Sequence, residues 1–382
     1  MTAGTGMPEG VEATIRTTEA DVDELGLRLA DWLAPRLKAT ERPRVGRVRK
    51  PEHSGMSSIT LLFDVTWTTE SGEHRSELVA RLAPEDAAFP VFPGYDLTLQ
   101  RDVMDAVAEC TDVPVPHVRW VENSADVLGT PFLVMDRVSG TVPVDNPPYV
   151  FGGWLYDLDA DRQSEVQEAA VQVLADIHAV VDPAQHVSRW AGSEKGTGLR
   201  RHFENERAYY AWTRRHDQMR IPVLERAFTW LEEHWPQDPS PDVLCWGDAR
   251  VGNIMYSDTA VSAVLDWESA VPAPRELDLG WFIFFHRQFQ EIAEFFEMPG
   301  LPHLFRRSDV VESYERATGV KVRDLDFYLV YAALRHGIVM SQIERRRIHF
   351  GEVEPHDDPD EYVMHHPMLS ALVDGKFEWE KA

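Results

Sequence analysis

In Trp246-Gly-Asp248-Ala-Arg250-Val-Gly252-Asn253, a carboxylate, a guanidinium and a carboxamide fall close together. A second carboxylate follows in Leu265-Asp266-Trp267-Glu268. Asp248 can accept a hydrogen bond from an acceptor hydroxyl and so orient it. Asn253 and Asp266 offer hard oxygens to a magnesium ion, which takes few protein ligands and fills its shell with phosphate and water. Arg250 can reach a γ-phosphate and offset the charge that develops there. These are the parts that phosphoryl transfer needs: an oriented acceptor oxygen and positive charge on the phosphate oxygens.

Such side chains work only if the backbone holds them. Val243-Leu-Cys245 reads as a strand leading into the loop, and Ile254-Met-Tyr256 as a strand leaving it. Ser257-Asp258-Thr259 is a turn, and Val261 to Leu265 returns as a third strand that delivers Asp266. Gly247 and Gly252 let the loop turn tightly. An acidic chain generates Asp-to-Asn spacings by chance, and the plain alternative is a surface loop with a salt-bridged Asp. The strand-loop-strand-turn-strand context argues against it.

Upstream, Thr18 and Asp21 form a capping box for a helix whose apolar face is Val22, Leu25, Leu29, Trp32 and Leu33, with Pro35 near its end. The period then changes. Ile59, Leu61, Phe63, Val65 and Trp67 alternate as a half-buried strand, Glu70 to Glu73 turns, and Leu78 to Leu82 completes a hairpin. Leu97 to Val107 is helical, and Val113 to Trp120 and Pro131 to Val138 read as two more strands. Beyond Ser139-Gly140-Thr141 the chain is mostly helical. Its apolar stripes are Val166 to Val181 and Leu224 to Trp235, and longer helices run over Glu276 to Phe296 and Val322 to Arg346. Glu352 to Glu361 is expected to be a solvated acidic loop. The expected fold class is α+β, with an N-terminal extension and helix (1–43), a small antiparallel-sheet lobe (44–138) and a mostly helical lobe carrying the catalytic loop and acceptor site (139–382).

The 382 residues, 43% of them hydrophobic, suffice for two lobes with real cores. A net charge of −26 disfavours nucleic acid and anionic membrane surfaces and would favour a cationic small molecule. Cys110 and Cys245 are too few for a disulfide framework and suit a reducing cytoplasm. The N-terminus lacks the basic and apolar regions of a secretory signal. No P-loop is present, and Gly4 to Gly10 has the wrong spacing for a dinucleotide fingerprint. His349, His356, His365 and His366 lack a metal-ligand spacing and read as surface or packing residues.

The catalytic segment, with Pro274-Arg275-Glu276-Leu277-Asp278 after it, resembles the aminoglycoside phosphotransferase and choline kinase-like family. More narrowly it is similar to its actinobacterial branch, akin to the kinase-like domains fused to acyl-CoA dehydrogenases. The resemblance spans roughly residues 45 to 350. It implies a protein-kinase-like bilobal fold and an ATP- and magnesium-dependent transfer of the γ-phosphate to a small-molecule hydroxyl, such as an amino-sugar or amino alcohol. It implies further roles as well. Arg81 would hold the α- and β-phosphates where most kinases use Lys. The segment from His53 through Ser57 and Ser58 would cover the phosphates. Met135, Asp136 and Val138 would meet adenine through their backbone. Asp278 would brace the catalytic loop, helped by Arg275 and Glu276, and Glu268 would contact magnesium through water.

Two positions depart from the pattern. Gln100 stands where the ion-pair Glu is usual, so it can hydrogen-bond Arg81 but not pair with it. Trp246 stands where His is common, which removes one ordering hydrogen bond. Both leave open a degenerate kinase-like scaffold that binds nucleotide without turnover. A protein kinase is disfavoured, because there is no D-F-G and no A-P-E, and Pro272 and Pro274 follow Asp266 closely.

Overall fold

The computed structural model describes residues 22–51, 58–84, 89–192 and 197–379. Thr18, Asp21, Ser57 and the His53-to-Ser57 segment read from the sequence lie outside them, as does the Val22 side chain.

Five strands form the first lobe: β1 (Arg44–Val45), β2 (Ile59–Thr69), β3 (Gly72–Leu82), β4 (Val118–Glu122) and β5 (Phe132–Asp136). Their order is β1-β2-β3-β5-β4, antiparallel throughout. Helix α1 (Val22–Arg36) covers one face and α2 (Leu97–Cys110) lies toward the other. The alternation of β3 assigns its side chains. Leu78, Ala80 and Leu82 bury against Leu29, Trp32 and Leu33 of α1. Val79 joins the core shared with α2 and the second lobe. Arg81 has the same parity as Val79 and therefore points toward the second lobe. The Val113-to-Trp120 reading is shortened: only the end from Val118 pairs, because Pro114 and Pro116 cannot donate to a ladder.

The second lobe holds α3 (Trp154–Asp157), α4 (Ala160–Ile177), α5 (Gly198–Thr213), α6 (Pro222–Glu233), α7 (Glu276–Phe295), α8 (Arg307–Thr318), α9 (Leu325–His349) and α10 (His366–Val373). The long helices α7 and α9 pack together at its centre. Helices α5 and α8 escaped the sequence reading because neither has an aliphatic stripe; they bury His202, Phe203, Tyr209 and Tyr210, and Val310, Ser313 and Tyr314.

The β island is two sheets rather than one. Strands β7 (Ile254–Ser257) and β8 (Ala260–Val264) make the expected hairpin, whereas β6 (Asp242–Cys245) pairs with β9 (Val271–Pro274). The two prolines of β9 disguised it as a breaker. The acidic segment from Glu352 is largely exposed, as expected, yet it is tied down. Asp360 accepts a hydrogen bond from the Val223 amide at 2.8 Å, and His356 meets Glu344 at 2.7 Å. His365 is buried and reaches the Ala333 carbonyl at 2.9 Å, a packing role. Among the described residues, no helix is long and apolar enough to cross a membrane.

Candidate active site

The loop that carries Asp248 hangs from one buried carboxylate. Asp278, in the first turn of α7, accepts from the amides of Trp246 (2.6 Å) and Gly247 (2.8 Å). His178 reaches the same carboxylate at 3.1 Å and the Tyr314 hydroxyl at 2.8 Å. His178, Cys245 and Asp278 lie close enough to suggest a metal site. Their chemistry is otherwise spent. Cys245 Sγ donates to the Ala273 and Pro274 carbonyls at 3.4 Å, and burial pushes its thiol well up from the ordinary range. The cluster is a brace.

Trp246 does not cost the loop an ordering contact. Its indole Nε1 donates to the carbonyls of Leu265 (2.8 Å) and Asp266 (3.2 Å), which ties the loop to the metal-ligand candidate. Gly247 has φ +87°, and a Cβ there would sit 2.0 Å from the Ser269 carbonyl oxygen. No other residue fits that turn.

Asp248 is held by three donors. Trp281 Nε1 donates to Oδ1 at 2.8 Å, Asn253 Nδ2 to Oδ2 at 2.6 Å, and Arg250 Nε to both oxygens at 3.1 Å. Burial is the main cause that pushes the Asp248 carboxyl up to about 7; the Asp266 charge adds to it, and the Trp281 and Asn253 hydrogen bonds oppose it. A carboxylate poised there can take a proton near neutral pH. Because the Asn253 amide nitrogen is spent on Asp248, its Oδ1 is the atom left to face a cation. The Asn253 carbonyl accepts from the Leu265 amide at 2.9 Å, which fixes Asn253 one residue from Asp266 across the hairpin.

Asp266 takes a left-handed conformation, φ +59°, just past β8. Its Oδ1 accepts from Arg81 Nη1, a contact between residues 185 positions apart that ties the two lobes together. Arg81 also donates to Ser58 Oγ (2.8 and 3.3 Å) and lies 3.9 Å from Glu268. Burial works against the Arg81 charge, but Asp266, Glu268 and Asp248 outweigh it and hold its pKa above the ordinary value. Burial likewise opposes the Asp266 charge, and Arg81 and Arg250 overcome it and lower that pKa. Arg250 turns its Nη1 to Asp145, so two carboxylates flank it, while burial lowers its pKa.

The remaining residues read from the sequence fall around this centre with less contact. Gln100 is buried in α2 but is not among the described partners of Arg81. Met135 ends the buried part of β5 opposite Val79. Asp136 spends its side chain on Arg119 (2.6 Å) and its amide on the His117 carbonyl (3.0 Å). Val138 is half-buried just beyond the strand. Ser57 lies outside the described residues.

Two residues at the site were not read from the sequence. Trp281 had a signal, since it lies one helical turn past Asp278 on the same face. Asp145 had none: its approach depends on Gly252, where a Cβ would sit 2.5 Å from its carboxylate. Beside them is a small cavity lined by Asp145, Tyr149, Arg250, Gly252, Phe285 and Phe289, among others.

Comparison with known proteins bears on the fold and the family. The Arabidopsis thaliana protein described as probable acyl-CoA dehydrogenase IBR3 is 23% identical over 306 residues, covering 76% of this chain and 35% of the relative. Mouse acyl-CoA dehydrogenase family member 10 is 29% identical over 197 residues, covering 50% of this chain and 17% of the relative. The chain thus spans about a third or less of the length of these relatives. A candidate aminoglycoside phosphotransferase from Ralstonia eutropha JMP134 superposes with a TM-score of 0.61 at 21% identity, covering 91% of this chain and 97% of that one. A thermostable mutant of the aminoglycoside phosphotransferase APH(4)-Ia, in a ternary complex with ADP and hygromycin B, gives 0.55 at 15% identity, with 92% and 99% covered. These structures share the bilobal α+β, kinase-like fold. A model of the phosphotransferase enzyme family (APH) matches residues 62–307, about two-thirds of the sequence, and the chain belongs to that family.

Proposed function

We propose that this protein transfers the γ-phosphate of ATP to a hydroxyl of a small molecule, with magnesium. The observation that carries the reading is the convergence of Asp248, Asn253, Asp266 and Arg81, from both lobes, on one buried place. Asp248 orients the acceptor hydroxyl and takes its proton. The freed oxygen attacks the γ-phosphorus, the bond to the β–γ bridging oxygen breaks, and ADP leaves. Asn253 Oδ1 and the Asp266 carboxylate form a donor set of hard oxygens that fits magnesium. When bound there, the ion supplies positive charge to the phosphate oxygens. Arg81 shifts its hydrogen bonds from Asp266 to the α- and β-phosphates. The Asp136 and Arg137 amides are bound to the His117 and Glu77 carbonyls, so adenine-facing donors begin at Val138.

The acceptor binds in the helical lobe beside Asp248, where the aromatic lining of the neighbouring cavity and the chain's net charge of −26 suit an amino-sugar or amino alcohol. Isothermal titration with Mg-ATP tests the nucleotide half; absence of binding would sink the proposal. An ATP-consumption screen across amino-sugars, amino alcohols, sugars and hydroxyacyl thioesters tests the rest. Binding without any turnover would favour the nucleotide-binding scaffold instead.

A further inference from the structure

We infer that Trp281 is the positioning residue for Asp248, its indole N–H fixing the carboxylate rotamer that meets the acceptor hydroxyl. The inference rests on the phosphotransferase reading above. Its starting point is α7 itself. Asp278 grips the loop backbone through the Trp246 and Gly247 amides, and Trp281, one turn on, grips the Asp248 side chain at 2.8 Å. One rigid helix therefore sets both the path of the loop and the direction of its carboxylate.

The indole is itself held firmly. It is buried, and Phe285 packs on it with ring centroids 4.9 Å apart. The Arg335 guanidinium lies 4.3 Å from the ring centroid and donates to the Gly247 carbonyl at 3.0 Å. The same arginine thus presses the tryptophan and pins the loop. Trp281 also differs in kind from the other donors to Asp248. Asn253 is a magnesium ligand in the proposed reaction, and Arg250 is a cation drawn to phosphate. An indole N–H is a donor only, with no affinity for a metal ion and no charge to offer a phosphate. Its part in the proposed reaction is therefore to hold the carboxylate, with neither metal nor phosphate to bind.

The test has two arms. In protein labelled with 15N-tryptophan, the Trp281 indole resonance is assigned by its absence from Trp281→Phe or Trp281→Tyr. In Asp248→Ala it should move upfield and exchange faster with water, while the indole signals remote from the loop stay put. An unmoved resonance would overturn the inference. In the kinetic arm, Trp281→Phe keeps the ring but loses the N–H. It should lower kcat by about tenfold, the worth of a hydrogen bond to a charged group, with Mg-ATP affinity retained. An unchanged kcat, or a parallel loss of nucleotide affinity, counts against Trp281. If no acceptor is ever phosphorylated, the transferase reading fails, and the resonance still decides the role of Trp281.

Discussion

Asp248 combines burial with three hydrogen-bond donors, and those influences pull its acidity in opposite directions. With its carboxyl pushed up to about 7, kcat/KM for the acceptor should rise with pH up to that point and then level off. A flat profile between pH 5 and 8 would remove it as the base. Asp248→Asn should cut kcat by about a thousandfold while Mg-ATP affinity stays near wild type, measured by steady-state kinetics and titration. The same shift carries a sign for stability. Its folded pKa lies above the ordinary 3.8, so the folded protein binds this proton more tightly than the unfolded chain does. Stability from this group is present below about pH 4 and is lost as pH rises toward 7. Asp248→Asn should therefore melt progressively higher than wild type across that window, the expected trade of stability against activity.

At the scale of elements, the loop between β6 and β7 keeps its shape through α7 and through glycine. Asp278→Ala strands two buried amides and the His178 contact. It should destabilise the fold by about 3–5 kcal/mol, measured by denaturant unfolding. Gly247→Ala forces a Cβ against the Ser269 carbonyl in a left-handed turn and should cost several kcal/mol or prevent folding, at about the 4 kcal/mol that marks exceptional mutations. Gly252→Ala is milder, because its Cβ meets a side chain: it should displace Asp145 and loosen Arg250, lowering kcat more than stability. The β7–β8 hairpin was readable from its alternation and turn, and so was the delivery of Asp266. The β6–β9 pairing was not, because a Val-Pro-Ala-Pro strand looks like a breaker until its partner is known.

Across the whole molecule, the Arg81–Asp266 contact joins the two lobes, and the proposed reaction requires that contact to be exchanged for phosphate and metal. Mg-ATP at a hundred times its Kd should stabilise the protein by about 2.7 kcal/mol, seen as a rise in Tm, and ATP with a chelator should give far less. Asp266→Ala should abolish the magnesium-dependent part of that rise while leaving the first lobe folded. The net charge of −26 acts at this scale as well: a cationic acceptor should bind more weakly as salt increases, whereas a neutral one should not.

The sequence by itself pointed to the family and to the reaction proposed above, because the Asp248, Asn253 and Asp266 spacing sits in local structure that strand periodicity and two glycines specify. It also determined the order of lobes, since the period of the apolar residues changes from that of strands to that of helices beyond Thr141. Tertiary structure alone decided the partners. That Trp246 bonds the Asp266 segment, that Asp145 flanks Arg250 and that Trp281 reaches Asp248 all depend on contacts between residues distant in the chain. Local propensity carries no information about such contacts, because they are fixed only when the helices pack and bury their polar groups together.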